Sequence, residues 1–125
     1  MVKGKDAGSV QESGMARLSP RICAHPECWV VSLDGELDAG TKDTVVEACT
    51  RLLQQGHVKL VVDVSNLSFC DCSGVDALIA LQGQAEQQGG YLRLIGVHGS
   101  LARLLTVGEL IDTFPPYRDL RQACG

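Results

Sequence analysis

The sequence predicts a single α/β domain, a mixed sheet of roughly four to five strands with helices packed against it, and three observations carry that prediction. Leu60-Val61-Val62-Asp63-Val64 is a nearly continuous apolar run, the pattern of a strand covered on both faces. Before it, Val45, Ala48, Cys49, Leu52 and Leu53 fall on one stripe of an amphipathic helix. After it come a second helical stretch, a Gly89-Gly90 stop and another apolar run, Tyr91-Leu92-Arg93-Leu94-Ile95. Strand, helix and strand in that order form a βαβ unit with parallel strands and a right-handed crossover. A length of 125 residues suits one such domain and is enough to bury a core without metals or staples.

Residues 1–14 hold too little apolar content to pack and read as a flexible tail, which leaves residues 15–125 as the domain. Residues 17–22 and 29–33 read as two strands of an antiparallel hairpin around Ala24-His25-Pro26-Glu27, where proline fixes a turn dihedral. After Asp34-Gly35-Glu36-Leu37-Asp38 a loop leads to Thr41, a candidate N-cap, and the first helix runs to about Gln55, where Gly56 stops it. The second helix starts at about Ser73 and turns Val75, Leu78, Ile79 and Ala85 towards the core. Ser100 is placed to cap a short third helix that carries Leu101, Leu104 and Leu105, with Gly108 after it. Thr113-Phe114 reads as a brief last strand before Pro115-Pro116, and residues 119–123 as a terminal helical turn.

Composition narrows the function classes. A net charge of −4 without a Lys/Arg cluster argues against nucleic acid as the partner, because nothing neutralises a phosphate backbone. No run approaches the roughly 18 apolar residues that span a bilayer, and residues 1–14 lack the apolar centre of a signal peptide. A cytoplasmic protein that does not enter the membrane is expected. In that compartment the six cysteines default to reduced thiols, most of them packed in the core. Cys49 lies on the apolar stripe of the first helix, and Cys70 ends the apolar approach to the second. Cys23 and Cys28 flank the predicted hairpin turn and would face one another in one register, so an oxidised pair is the second reading there. The same Cys-x-His-x-x-Cys stretch holds three zinc-ligand types without a second cluster, which ranks a metal last. His25, His57 and His98 are scattered, and neither a catalytic constellation nor a phosphate-cradling glycine loop stands out. A non-enzymatic protein without a cofactor is expected.

The stretch Asp71-Cys72-Ser73-Gly74-Val75 lies where a strand gives way to a helix. Together with Val58 to Val64 and Asn66-Leu67-Ser68-Phe69 it resembles the core signature of STAS domains, and among them most resembles bacterial anti-sigma factor antagonists. Gly35-Glu36-Leu37-Asp38 with Thr41, and Leu94-Ile95-Gly96-Val97 followed by Leu101-Ala102-Arg103-Leu104-Leu105, resemble further elements of that family. The similarity covers roughly residues 16–122 and implies the STAS fold. It also implies a regulator of transcription that binds an anti-sigma factor and so frees a sigma factor. In such circuits the anti-sigma factor is often a histidine-kinase-like serine kinase, which brings its own ATP and magnesium, and a phosphatase is its counterpart. The implied docking surface comprises Asp71, Cys72, Ser73, Gly74 and Val75 with the neighbouring loop residues Glu36, Leu37, Asp38 and Thr41.

One position departs from the family. Relatives usually read Asp-Ser-Ser-Gly or Asp-Ser-Thr-Gly at the turn, and the hydroxyl directly after Asp receives the phosphate. Here that residue is Cys72. Ser73, one residue on, is rotated by about 100° on a helix and presents its hydroxyl in another direction. Three readings stay open: phosphorylation at Ser73, a docking protein that escapes the kinase, or a thiol switch at Cys72. A helix N-terminus favours a reactive thiol, whereas adjacent Asp71 opposes it. Two further readings are a redox-responsive module switched by Cys72 or the Cys23/Cys28 pair, and a scaffold or transporter-associated STAS module. The plainest reading of the turn is a capped helix start, with Asp71 or Ser73 as cap and Gly74 giving backbone room.

Overall fold

The computed structural model describes residues 17–124, so the expected tail, residues 1–14, lies outside the described residues. Strands β1 (Leu18–Ala24), β2 (Trp29–Leu37), β3 (Lys59–Cys70) and β4 (Tyr91–Ile95) form one sheet in the order β1-β2-β3-β4. The chain enters through an antiparallel hairpin, β1 on β2, and continues with parallel pairs β2 on β3 and β3 on β4. Helices α1 (Lys42–Gln54), α2 (Cys72–Gln87) and α3 (Gly99–Val107) follow β2, β3 and β4, and a single turn, α4 (Leu120–Ala123), ends the chain. The mixed sheet and the βαβ succession agree with the sequence reading.

The alternation of β3 explains its continuous apolar run. Leu60, Val62 and Val64 point to a large core shared with Val45, Cys49, Leu52 and Leu53 of α1, Val75, Leu78 and Leu81 of α2, and Leu101 and Leu105 of α3. Val61 points the other way, into a smaller cluster with Cys28, Val30, Ile95 and Ala123. Each buried leucine or valine stabilises the fold by about 1.5–3 kcal/mol relative to exposure, so β3 is the strand on which both layers depend. Gly35 sits at φ +124, where a Cβ would overlap the Arg17 carbonyl that accepts from the Glu36 backbone N–H at 2.7 Å. Glycine is therefore required for the chain entrance to lie against the end of β2.

β2 runs on to Leu37, past the expected strand end at residue 33, and four further elements differ from the sequence reading. Thr41 occupies the N-cap of α1 without capping it; its Oγ1 donates to the Glu36 carbonyl at 2.8 Å and accepts from the Asp38 backbone N–H at 3.0 Å. Ser100 lies inside α3, whose N-cap is His98, and its Oγ accepts from the Cys70 backbone N–H at 2.8 Å. Thr113-Phe114 is not a strand: Phe114 is buried against the main core and donates its backbone N–H to Leu110 at 2.8 Å. The extended contact falls instead at Tyr117, a single parallel bridge to Ile95.

The cysteines give the last of these differences. Cys23 pairs across the hairpin with Val30 and the ladder closes at Ala24 opposite Trp29, so Cys28 lies beyond the paired residues and never faces Cys23. It is buried on the back of the sheet and forms a disulfide with Cys124, 96 residues away, at a Cα separation of 5.8 Å. Cys23, Cys49, Cys70 and Cys72 are free, with Cys49 and Cys70 buried as the apolar patterning requires. Among the described residues no helix is long and apolar enough to cross a membrane.

Candidate docking surface

The ends of β2 and β3 lie side by side, Leu37 opposite Cys70, so Glu36 and Leu37, expected in a loop, are the last residues of β2, and the loop from Asp38 to Thr41 follows them beside the start of α2. Asp71 is the N-cap of α2: its Oδ1 accepts from the Gly74 backbone N–H at 3.1 Å, and its carbonyl accepts from Val75 at 3.1 Å. Its own N–H donates to the Leu37 carbonyl at 3.1 Å, which ties the helix start to the neighbouring strand. A Cβ on Gly74 would come within 2.7 Å of Leu37 Cγ and 3.0 Å of both Cys70 Sγ and the Leu37 carbonyl. Backbone room at Gly74 is thus what lets α2 begin this close to β2. Ser100 braces the same corner from α3 through Cys70.

The loop half of the surface is held by charge and hydroxyl contacts. Arg17 grips Asp38 with two nitrogens, Nη1 to Oδ2 at 2.8 Å and Nη2 to Oδ1 at 3.1 Å, and reaches Glu36 Oε1 at 3.2 Å. Asp38 Oδ1 also accepts from the backbone N–H groups of Gly40 at 2.9 Å and Thr41 at 3.1 Å. The hydrogen bond from Arg17 above all holds the Asp38 carboxyl below its ordinary value, and the Asp38 carboxylate in turn raises Arg17. The end of β2 and its loop therefore form a fixed projection whose two carboxylates share one guanidinium and leave it acidic.

The nine residues singled out from the sequence converge on this corner in two layers. Leu37, Thr41, Gly74 and Val75 are buried and shape it from below, so they do not offer side chains to a partner. Cys72 is exposed, and Glu36, Asp38, Asp71 and Ser73 are partly exposed. Cys70, beneath them, has its thiol pushed up to about 12 by burial, with Asp71 and Cys72 adding to it, and stays protonated and inert. The exposed redox candidates Cys72 and Cys23 are free thiols on different parts of the surface, and Cys28 is committed to Cys124.

Sequence reasoning missed the apolar part of the surface. A depression of about 360 Å³ opens beside Cys72, lined by Phe69, Cys72, Arg103, Leu104 and Val107 together with Cys70, Asp71 and Ser100. Phe69 is 44% exposed and Val107 78%. Strict strand alternation would bury Phe69 in phase with Leu67. The β2/β3 register shifts between Ser32 and Asp34 and again between Gly35 and Glu36, and each shift adds one residue to β3. Burial along β3 consequently goes Val64, Leu67, Cys70, and Phe69 turns outward. A signal was present in Val107, an apolar residue in the last position of α3, just before Gly108.

Comparison with known proteins agrees with the fold. The family model described as STAS domain matches residues 19–123. An anti-sigma F factor antagonist of Paenibacillus polymyxa is 30% identical over 94 residues, covering 74% of this chain and 80% of that relative. An anti-sigma-B factor antagonist of Staphylococcus epidermidis is 26% identical over 95 residues, covering 76% of this chain and 88% of the other. Among solved structures, an anti-sigma factor antagonist from Mycobacterium paratuberculosis superposes with a TM-score of 0.76 at 24% identity, covering 85% of this chain and 90% of that one.

Proposed function

The chain belongs to the STAS domain family, and on that premise we propose that it is an anti-sigma factor antagonist that binds an anti-sigma factor and so releases a sigma factor for transcription. The reading is supported by relatives that carry this function in their names and by a surface built for protein contact. The observation that carries it is the exposed Cys72 at the first position of α2, between the Arg17-clamped acidic loop and the depression under Phe69 and Val107. A partner that fits there covers apolar surface at the centre and meets polar groups at the rim, the ordinary anatomy of a protein interface. The role is binding in the cytoplasm, with any ATP and magnesium belonging to a kinase-type partner.

Cys72 separates docking from phosphorylation. A serine kinase aligned on that position finds a thiol, and Ser73 lies further round the helix and partly covered. The chain is therefore an antagonist that docks without being switched off at position 72. The function is tested by adding the purified protein to a complex of sigma factor with a candidate anti-sigma factor and following release of the sigma factor. Stoichiometric release supports the function. Failure against every anti-sigma factor of the source cell refutes it.

A further inference from the structure

Besides the docking corner, the molecule carries a second built feature at the opposite face of the sheet, where the chain end is fastened by Cys28–Cys124. The segment from Tyr117 to Cys124 closes that face. Ala123 is buried against Cys28, Val30, Val61 and Ile95, and Tyr117, Leu120 and Cys124 pack around them. Apart from the disulfide and this packing, the segment is tied to the sheet by Arg93, whose Nη1 donates to the Ala123 carbonyl at 2.9 Å and whose guanidinium lies over the Tyr117 ring at 5.4 Å, and by one bridge from Tyr117 to Ile95. The helix in it is a single turn, closed by Ala123 N–H to the Asp119 carbonyl at 3.1 Å, Cys124 N–H to the Leu120 carbonyl at 2.9 Å and a side-chain cap in which Asp119 Oδ1 accepts from the Gln122 N–H at 3.0 Å. One turn is far below the length at which a helix persists alone.

The two sulfurs are not equally accessible. Cys28 is 2% exposed, whereas Cys124 is partly exposed and lines an open depression of about 460 Å³ with His25, Pro26, Glu27, Leu120 and Arg121. We propose that Cys28–Cys124 is a reducible latch: a dithiol reductant enters this depression, attacks Cys124 Sγ, and frees the Tyr117–Cys124 segment from the back of the sheet. The attacking thiolate forms a mixed disulfide with Cys124 as the Cys28–Cys124 bond breaks, and the electron pair leaves on the Cys28 sulfur, which takes up a proton. The reductant's second thiolate then attacks its own sulfur in the mixed disulfide, expelling Cys124 as a thiolate that is protonated in turn. The reductant ends as a disulfide, oxidised by two electrons, and the protein gains two hydrogens. Release uncovers Val30, Val61 and Ile95 as a second apolar face, distinct from the docking corner.

The experiment is backbone hydrogen exchange of the full chain, oxidised with oxidised glutathione and then treated with dithiothreitol, with peptide mapping to locate the disulfide. A Cys28–Cys124 cross-linked peptide in the oxidised sample is expected. Reduction is expected to speed exchange at Gln122, Ala123 and Cys124 by about tenfold or more while the amides of α2 keep their rates. Cys124→Ser, a change at a partly exposed site near the chain end, should reproduce the fast exchange without reductant. Absence of the cross-link, unchanged exchange on reduction, or acceleration throughout α2 as well would each overturn the latch.

Discussion

Gly74→Ala tests how the candidate surface is built. Two effects oppose one another at this position. Alanine is the better helix former by up to about 1 kcal/mol in a helix interior, and by less in the first turn where Gly74 sits. Against that, the added Cβ would lie 2.7 Å from Leu37 Cγ and 3.0 Å from Cys70 Sγ and the Leu37 carbonyl. Leu37 is fully buried and Cys70 nearly so, so neither side chain has room to withdraw. Shifting the Leu37 carbonyl would also weaken the bond it accepts from Asp71 at the cap of α2. Overpacking of this kind costs about 1–3 kcal/mol, so the net expectation is a loss of about 1–2 kcal/mol. Urea denaturation read by circular dichroism gives the number, with Ser73→Ala as a neighbouring control expected within about 0.5 kcal/mol of wild type. In a double-mutant cycle Gly74→Ala should cost less in a Leu37→Ala background than in wild type, a coupling of about 0.5 kcal/mol or more, although Leu37→Ala is itself destabilising. A Gly74→Ala protein as stable as wild type, or more stable, would refute the close approach of α2 to β2 and the surface shape derived from it.

Other consequences are open to measurement. Because Arg17 lowers the folded-state value of Asp38, the stability that Asp38 adds is present above the ordinary carboxylate range and is lost as pH falls through and below about 4. The difference in urea midpoint between wild type and Asp38→Asn should therefore shrink on acidification, and a difference that grows instead would contradict the clamp. Cys23 and Cys72 are exposed, whereas burial pushes the Cys49 thiol up to about 12 and holds Cys70 near the same value. Iodoacetamide on the native protein should label the first two and spare the last two until urea is added, and fast native labelling of Cys70 would contradict its place under the turn. With a cognate kinase and ATP, phosphosite mass spectrometry should find no phosphate on wild type and one on Cys72→Ser at the new hydroxyl. A phosphate on Ser73 of wild type would sink the kinase-escape reading.

What could be read in the sequence was whatever depends on local periodicity. The stripe from Val45 to Leu53 is the buried face of α1, the Gly89-Gly90 pair ends α2, and Asp71 caps it, because each of these is decided within a few residues. Features decided by distant neighbours were not legible. The outward turn of Phe69 follows from two register shifts against β2, which no pattern within β3 reveals. Ser100 has the chemistry of a cap, yet the Cys70 backbone N–H, 30 residues away in sequence, claims its hydroxyl. The partner of Cys28 lies 96 residues on, whereas the sequence suggested a reduced thiol first and only second a pair with nearby Cys23. Of the nine candidate docking residues, the motif located the corner, while burial of Leu37, Thr41, Gly74 and Val75 showed which of them shape it and which face outward.

The central claim is that a partner seats on the exposed start of α2, and the most direct test is the affinity of an anti-sigma factor for Cys72→Asp. A charge there would be stripped of water on docking, a penalty of about 2 kcal/mol or more, which is roughly thirtyfold in Kd. Gln84→Asp, an exposed change further along α2, serves as the matched control. Titration calorimetry should show Cys72→Asp weakened by about thirtyfold or more with Gln84→Asp near wild type. Equal affinity for all three proteins would contradict the account.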